Sequence, residues 1–225
     1  MATRPVFVAQ RTAASFVHEK PVEFRWHAGL AVSQKQKSIA ELHAAAKATL
    51  SIERILEISS KSPDALGVAL SAFNLKLNYG ERQVPVEIAF QSSKVFLDGG
   101  PYLDLLDATP RDAKADPRLK QSGRLRTFRF QGVDWPLQPA TVFYDWLYLT
   151  ALAQNPQLAE PLADYQAFTD IEFNPEKSIN CQARSAALYV GLRREGLFYE
   201  ALSSTEAYLR LTLGQSTAAS QIALC

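Results

Sequence analysis

The sequence predicts an α+β fold, mostly helical with a small sheet, and three observations carry that expectation. Short runs from Arg4 to Val8 and from Val22 to Trp26 alternate with the period of half-buried strands. The run from Ser38 to Ala48 instead repeats its apolar residues at helical spacing, with Ile39, Leu42 and Ala46 on one face. Turn formers such as Asn78-Tyr79-Gly80 and Gly99-Gly100-Pro101 punctuate the runs.

Each element follows from local chemistry. Pro5 and Pro21 lack a backbone donor, so the first two strands are expected at sheet edges. Ser38 leads Glu41 at capping-box spacing and should start the first helix. Arg54 to Ile58 reads as a strand and Ser59 to Gly67 as the loop beyond its end. Val68 to Leu77 alternates in part, and the Asn78 turn leads to a strand entry at Gln83 to Val86. A helix then runs from Glu87 until Gly99-Gly100-Pro101 breaks it.

From there to Gly123 the chain is polar and turn-rich, with cations at Arg111, Lys114, Arg118, Lys120 and, just beyond, Arg124. It is a candidate loop over a site, where cations steer phosphates; the plainer reading is a solvated loop compensated by Asp112 and Asp116. Arg126 to Phe130 reads as a strand and Phe143 to Ala153 as a helix. Cys181 to Arg193 is a helix burying Ala183, Ala186, Ala187 and Val190, and Glu206 to Leu213 is helical. Residues 1–213 are expected to form one domain and 214–225 a frayed tail.

Composition narrows the function. At 225 residues and 47% hydrophobic content, the chain can bury a real core. Its 24 Lys and Arg nearly cancel 23 Asp and Glu, so it lacks the cationic field that drives tight nonspecific DNA binding. Any contact with nucleic acid must be local. Cys181 and Cys225 make no disulfide framework, and His18, His27 and His43 lack metal-ligand spacing, so neither a metal nor another cofactor is expected. No stretch approaches a membrane span and Met1 to Pro5 has no apolar leader core, which predicts a cytoplasmic, soluble protein with no membrane partner.

The chemistry concentrates between residues 57 and 94, in three polar clusters. In the last, Glu87, Gln91 and Lys94 fall at i, i+4 and i+7 and so share one helical stripe, beside an apolar stripe of Val86, Ala89 and Phe90. Such a stripe taken alone is a solvated helix face. Placed at a core edge, its burial tunes pKa values.

The three clusters together resemble the NADAR family, which is related to the YbiA-like proteins. Leu56-Glu57-Ile58-Ser59, followed by Asp64 and Gly67, resembles the family's Leu-x-Glu-x-Ser-x-x-Asp-x-x-Trp-Gly segment, with Leu66 in place of Trp. Leu70-Ser71-Ala72-Phe73-Asn74 resembles its Leu-Ser-Asn-Phe segment, with Ala72 where Asn is usual, and Glu87, Gln91 and Lys94 match Glu-x-x-x-Gln-x-x-Lys. In most of the family the Glu-Ser-Asp-Gly segment comes last; here it comes first, which implies a circularly permuted domain of YbiA-like fold. Further stretches, Ser33 to Ile39, Asp116 to Lys120, Phe143 to Tyr148 and Phe168 to Ala183, resemble the NADAR antitoxins paired with DarT toxins.

The resemblance implies a glycosidase that removes ADP-ribose from the exocyclic amine of guanine in DNA, undoing modification by a partner DarT toxin. The expected catalytic residues are Glu87, Lys94 and Asp64. Lys61, Gly67, Ser71, Phe73, Asn74, Gln91 and Trp146 are expected around the substrate, with Phe73 or Trp146 as a stacking face and ordinary core packing as the plainer reading for both. Breaking the bond at ribose C1 needs a carboxylate to stabilise charge or activate water, and an acid to protonate the departing base. A lysine opens a second route, capture of the opened sugar as a Schiff base, which needs a lowered pKa. Lys35 and Lys37 are candidate phosphate contacts, and Glu172, Asn174, Lys177, Asn180 and Gln182 form a candidate second wall in which Glu172 or Lys177 could be the working residue. Two other readings stay open: the same chemistry on a small phosphorylated ribosyl metabolite, and an antitoxin that neutralises its toxin by binding alone.

Overall fold

The structure, a computed structural model, describes residues 1–12 and 15–213. The expected frayed tail lies outside the described residues. Strands β1 (Ala2–Val8) and β2 (His18–Phe24) lead into helix α1 (Val32–Leu50), strand β3 (Ile55–Glu57) and the short helix α2 (Ala65–Ala69). The hairpin β4 (Lys76–Tyr79) and β5 (Arg82–Pro85) runs directly into α3 (Val86–Ser92) and then β6 (Lys94–Phe96). A 3-10 turn at Leu103–Asp107, α4 (Pro110–Ala115) and α5 (Arg118–Gln121) precede β7 (Leu125–Phe130) and β8 (Val133–Trp135). The remainder is α6 (Val142–Gln154), α7 (Pro156–Ala159), a 3-10 turn at Glu160–Asp164, β9 (Ala167–Thr169), α8 (Gln182–Arg194), α9 (Phe198–Ser203) and α10 (Thr205–Leu213).

The principal sheet has the order β2-β1-β9-β3, antiparallel except where β3 and β9 run parallel. The period-two rule divides its side chains between two cores. Val6, Ile55 and Ala167 face α1 residues Ile39, Leu42 and Ala46, whereas their neighbours Phe7, Leu56 and Phe168 enter the larger core with α8. The sheet is therefore covered by helices on both faces. Pro21 lies on the edge strand β2, as expected; Pro5 lies opposite it in β1, at the end of β1 that β9 does not reach.

The larger core centres on α6, whose Phe143 packs on Phe128 (ring centroids 4.7 Å apart) and on Trp135 (5.6 Å). Asp145 locks α6 to α8: it accepts from Ser185 Oγ at 2.6 Å and pairs with the Arg184 guanidinium. Among the described residues no helix is long and apolar enough to cross a membrane.

Three local expectations are corrected. Helix α1 begins at Val32, and Ser38 is buried inside it, its hydroxyl accepting from the His27 backbone at 2.9 Å rather than capping. The helix begun at Val86 ends at Ser92, because Lys94 to Phe96 pairs as a strand with β7, opposite Phe128, Thr127 and Leu125. Gly99 and Gly100 therefore close a tight return on β6 rather than ending a helix; Gly100 has φ +85°, and a Cβ there would meet the Lys94 carbonyl at 2.3 Å. The polar stretch before Gly123 is partly helical, with Thr109 capping α4 through Asp112 N.

Candidate active site

The start of α3 assembles the site. The first amides of a helix have no partner within it. Here Val86 N donates to Leu75 O and Glu87 N to Ala72 O, both at 2.9 Å, so the Leu70–Asn74 cluster is fastened to the Glu87 helix. Gln182, at the start of α8, brings in the rest: its Oε1 accepts from Ala72 N at 2.6 Å, and its Nε2 donates to Ile58 O at 2.8 Å and to Asp170 Oδ2 at 3.0 Å. The segments after β3, α2 and β9 thus converge on the start of α3 and α8.

Between them opens a cavity of about 980 Å³. Glu87, Gln91 and Lys94 share one wall. Lys94 Nζ donates to Gln91 Oε1 at 2.7 Å, and Gln91 Nε2 donates to Glu87 Oε1 at 2.9 Å, so the amide relays between amine and carboxylate. The relay survives the loss of helix at Lys94, since the side chain reaches back from β6. Burial pushes the Lys94 amine down to about 8; the Glu87 carboxylate opposes that fall, and Lys114 adds to it. Lys114, from α4, stands 3.7 Å from Glu87 Oε1 and 5.4 Å from the Phe73 ring. Of the expected steering cations it is the one on the cavity wall, whereas Arg118 is held by Asp104 and Asp116.

Ser71 and Phe73 also line the cavity. The Ser71 hydroxyl and Asn180 Oδ1 are buried without a hydrogen-bond partner, and both residues line the cavity. Phe73 is 36% exposed, with the Lys114 amine over its ring. Residues 172–180 form the opposite wall, with Glu172, Lys177 and Asn180 all on it. Glu172 is engaged by Lys35 at 3.0 Å, which ties that lysine to a carboxylate rather than leaving it for a phosphate.

The other expected site residues lie off the cavity wall. Asp64, expected beside the reacting bond, caps α2: Oδ1 accepts from Leu66 N at 2.8 Å and Oδ2 from the Tyr165 hydroxyl at 3.3 Å. Gly67 packs where a Cβ would stand 2.0 Å from Glu57 O, which makes it a close-packing position. Asn74 Nδ2 donates to Val68 O at 2.8 Å, closing the turn after α2. Trp146 packs against Trp135 at 4.6 Å inside the α6 core, and Lys61 is outside the lining residues. Of the two departures from the family pattern, Ala72 faces the cavity and Leu66 does not.

Sequence reading gives Asp170 and Tyr144 no role of their own, although both lie in stretches it marks, 170–183 and 143–148. Both line the cavity; Asp170 opens the polar segment that runs to Ala183, and Thr169 separates it from the apolar pair Ala167-Phe168. Residues 2–222 match the family model described as DarT1-associated NADAR antitoxin. The chain belongs to that family. No curated protein matches it. The antitoxin therefore carries, on one cavity, the three residues that most closely fit the NADAR pattern: Glu87, Gln91 and Lys94.

Proposed function

We propose that the antitoxin is an N-glycosidase that removes ADP-ribose from the exocyclic amine of guanine in DNA and so reverses the modification made by a DarT toxin. The observation that carries this reading is the half-buried amine of Lys94, held by Gln91 on the same wall as Glu87. An amine lowered to about 8 still holds its proton in most molecules at pH 7, yet roughly a tenth is neutral, far more than for an ordinary lysine, and that fraction supplies the nucleophile. Capture of the opened sugar by Lys94 is thus favoured over direct hydrolysis.

In this reading the ribosylamine opens to an imine, and the neutral Lys94 amine adds at C1 of the ribose. Expulsion of the guanine amine leaves a protonated Schiff base on Lys94. Water then adds at C1 and the lysine amine departs, so the sugar closes as free ADP-ribose. Glu87 stabilises the cationic nitrogen and takes up the proton of the attacking water. Ser71, Gln91 and Asn180 supply polar contacts to the sugar, and Phe73 offers its ring to a base. Asp64, Gly67 and Asn74 hold the α2 turn and Trp146 packs in the α6 core; none of them, nor Lys61, lines the cavity, and the reading gives them no contact with the sugar.

The cavity is at the upper end of the usual range for small-ligand sites, about 300–1,000 Å³, in keeping with a ligand as long as ADP-ribose. The permuted order inferred for the domain rests on motif order alone. Strands β3 and β9 are parallel neighbours, so the polar segments that follow each reach the same cavity.

Borohydride trapping tests the reading. An oligonucleotide bearing ADP-ribosylated guanine, incubated with the antitoxin and reductant, should leave a stable ADP-ribosyl adduct on Lys94, located by peptide mass. Release of ADP-ribose with no adduct would favour direct hydrolysis. Absence of release from DNA, with turnover of a free phosphorylated ribosylamine, would favour the small-metabolite reading.

A further inference from the structure

Behind the cavity lies a polar cluster that the scheme above leaves unused. Asp170, at the end of β9, lines the cavity, and the Glu57 carboxyl of the parallel strand β3 faces it from within the core. Glu57 is 1% exposed; its two oxygens accept from Thr169 Oγ1 at 2.6 Å and from Ile171 N at 2.8 Å. Because Thr169 donates its proton to Glu57, its oxygen accepts from His43 Nε2 at 2.8 Å, which continues the chain to α1. Asp170 is itself pinned by Glu172 N and Gln182 Nε2, each at 3.0 Å. Two carboxyl groups, sequestered together with no cation at hydrogen-bond distance, cannot both be ionised cheaply.

We propose that Asp170 is the acid that protonates the departing guanine amine, with Glu57, Thr169 and His43 as its positioning residues. This rests on the glycosidase reading of the same cavity. After Lys94 has added at C1, the Asp170 proton passes to the guanine nitrogen and the C1–N bond breaks with its electron pair going to that nitrogen. Guanine leaves with an intact amino group, and the positive charge appears on the Lys94 imine. As the sugar is released, Glu87 passes the water proton to the departing lysine nitrogen, and the resulting Lys94 ammonium returns a proton to the Asp170 carboxylate, so the cycle closes.

The surroundings agree with the role. Burial, and next the Glu57 carboxyl, push Asp170 up to about 8, with Glu172 adding to the push against its own backbone N–H and Gln182. Cys181, Tyr144 and Tyr148, the other titratable groups around it, are all held neutral by burial. Burial and Lys47 push His43 down to about 4, so it too is neutral and adds no charge beneath the pair. Lys35 stands beyond Glu172 and is bound to it.

The test is the pH dependence of ADP-ribose release from the modified oligonucleotide. Activity should rise as Lys94 loses its proton and fall as Asp170 loses its own, giving a bell centred near pH 8. Asp170→Asn should lower turnover at least ~100-fold and abolish the alkaline limb. In the wild type, infrared spectra should show a protonated carboxyl band at neutral pH that Asp170→Asn removes. Should that variant fail to fold, Glu57→Gln carries the test, since loss of the neighbouring charge should move the alkaline limb to lower pH. Active wild type with an unchanged rate and profile in Asp170→Asn, or an unmoved limb in Glu57→Gln, overturns the assignment alone. Inactive wild type on modified DNA overturns the glycosidase reading and the assignment with it.

Discussion

Lys94 shows how an ordinary surface residue type is drawn into a cavity wall. Its amine is drawn over the Phe90 ring at 4.8 Å and hydrogen-bonded to a neutral amide, so burial is only partly offset by the Glu87 charge. Lys114 is the adjustable neighbour: its charge lowers Lys94, so Lys114→Gln should shift the acid limb of the pH–rate profile upward, read as slower turnover at pH 7 than at pH 9. His43 carries a separate signature. With its folded value pushed below its ordinary 6.5 to about 4, it binds its proton more readily in the unfolded chain. Its contribution is complete above pH 6.5 and is lost as the pH falls toward 4. Denaturant melts at pH 7 and pH 4.5 should show the wild type losing stability that His43→Gln does not lose; equal losses would contradict that origin.

At the scale of elements, what is legible in the sequence is what local period encodes. The strand pair at the start, α6, α8 and the entry into α3 all follow from spacing and turn residues. Lys94 was placed on a helix because its spacing from Glu87 and Gln91 is helical, yet its backbone pairs with Phe128 in β7, a partner remote in sequence. Asp64 and Gly67 illustrate the same limit: family resemblance marks them, but only packing shows that one caps α2 and the other clears the Glu57 carbonyl. Gly67→Ala should therefore cost more than about 1 kcal/mol, seen as a lower melting temperature, since the contact is with backbone. Phe143, stacked among Phe128, Trp135 and Phe90, should cost about 3–5 kcal/mol when changed to Ala. A loss under 1 kcal/mol at either position would contradict the packing described.

Across the whole molecule, the cavity lies between two walls that Gln182 joins by accepting from Ala72 N. One wall comes from residues 71–94 and was visible in the sequence as clustered polar residues. The other comes from residues 170–182; its polar density was visible, but the carboxyl pair of Asp170 and Glu57 was not, since it forms only when β9 lies beside β3. The near balance of charge excludes a global cationic field, and the cavity carries its local positive charge on Lys94, Lys114 and Lys177, with Lys114 over the Phe73 ring. The decisive measurement is release of intact ADP-ribose from an oligonucleotide carrying ADP-ribosylated guanine, with a folded Lys94→Ala variant alongside. Release by the wild type that disappears in the variant is the expected result; a wild type that binds DarT but releases nothing would contradict it and leave an antitoxin that acts by binding.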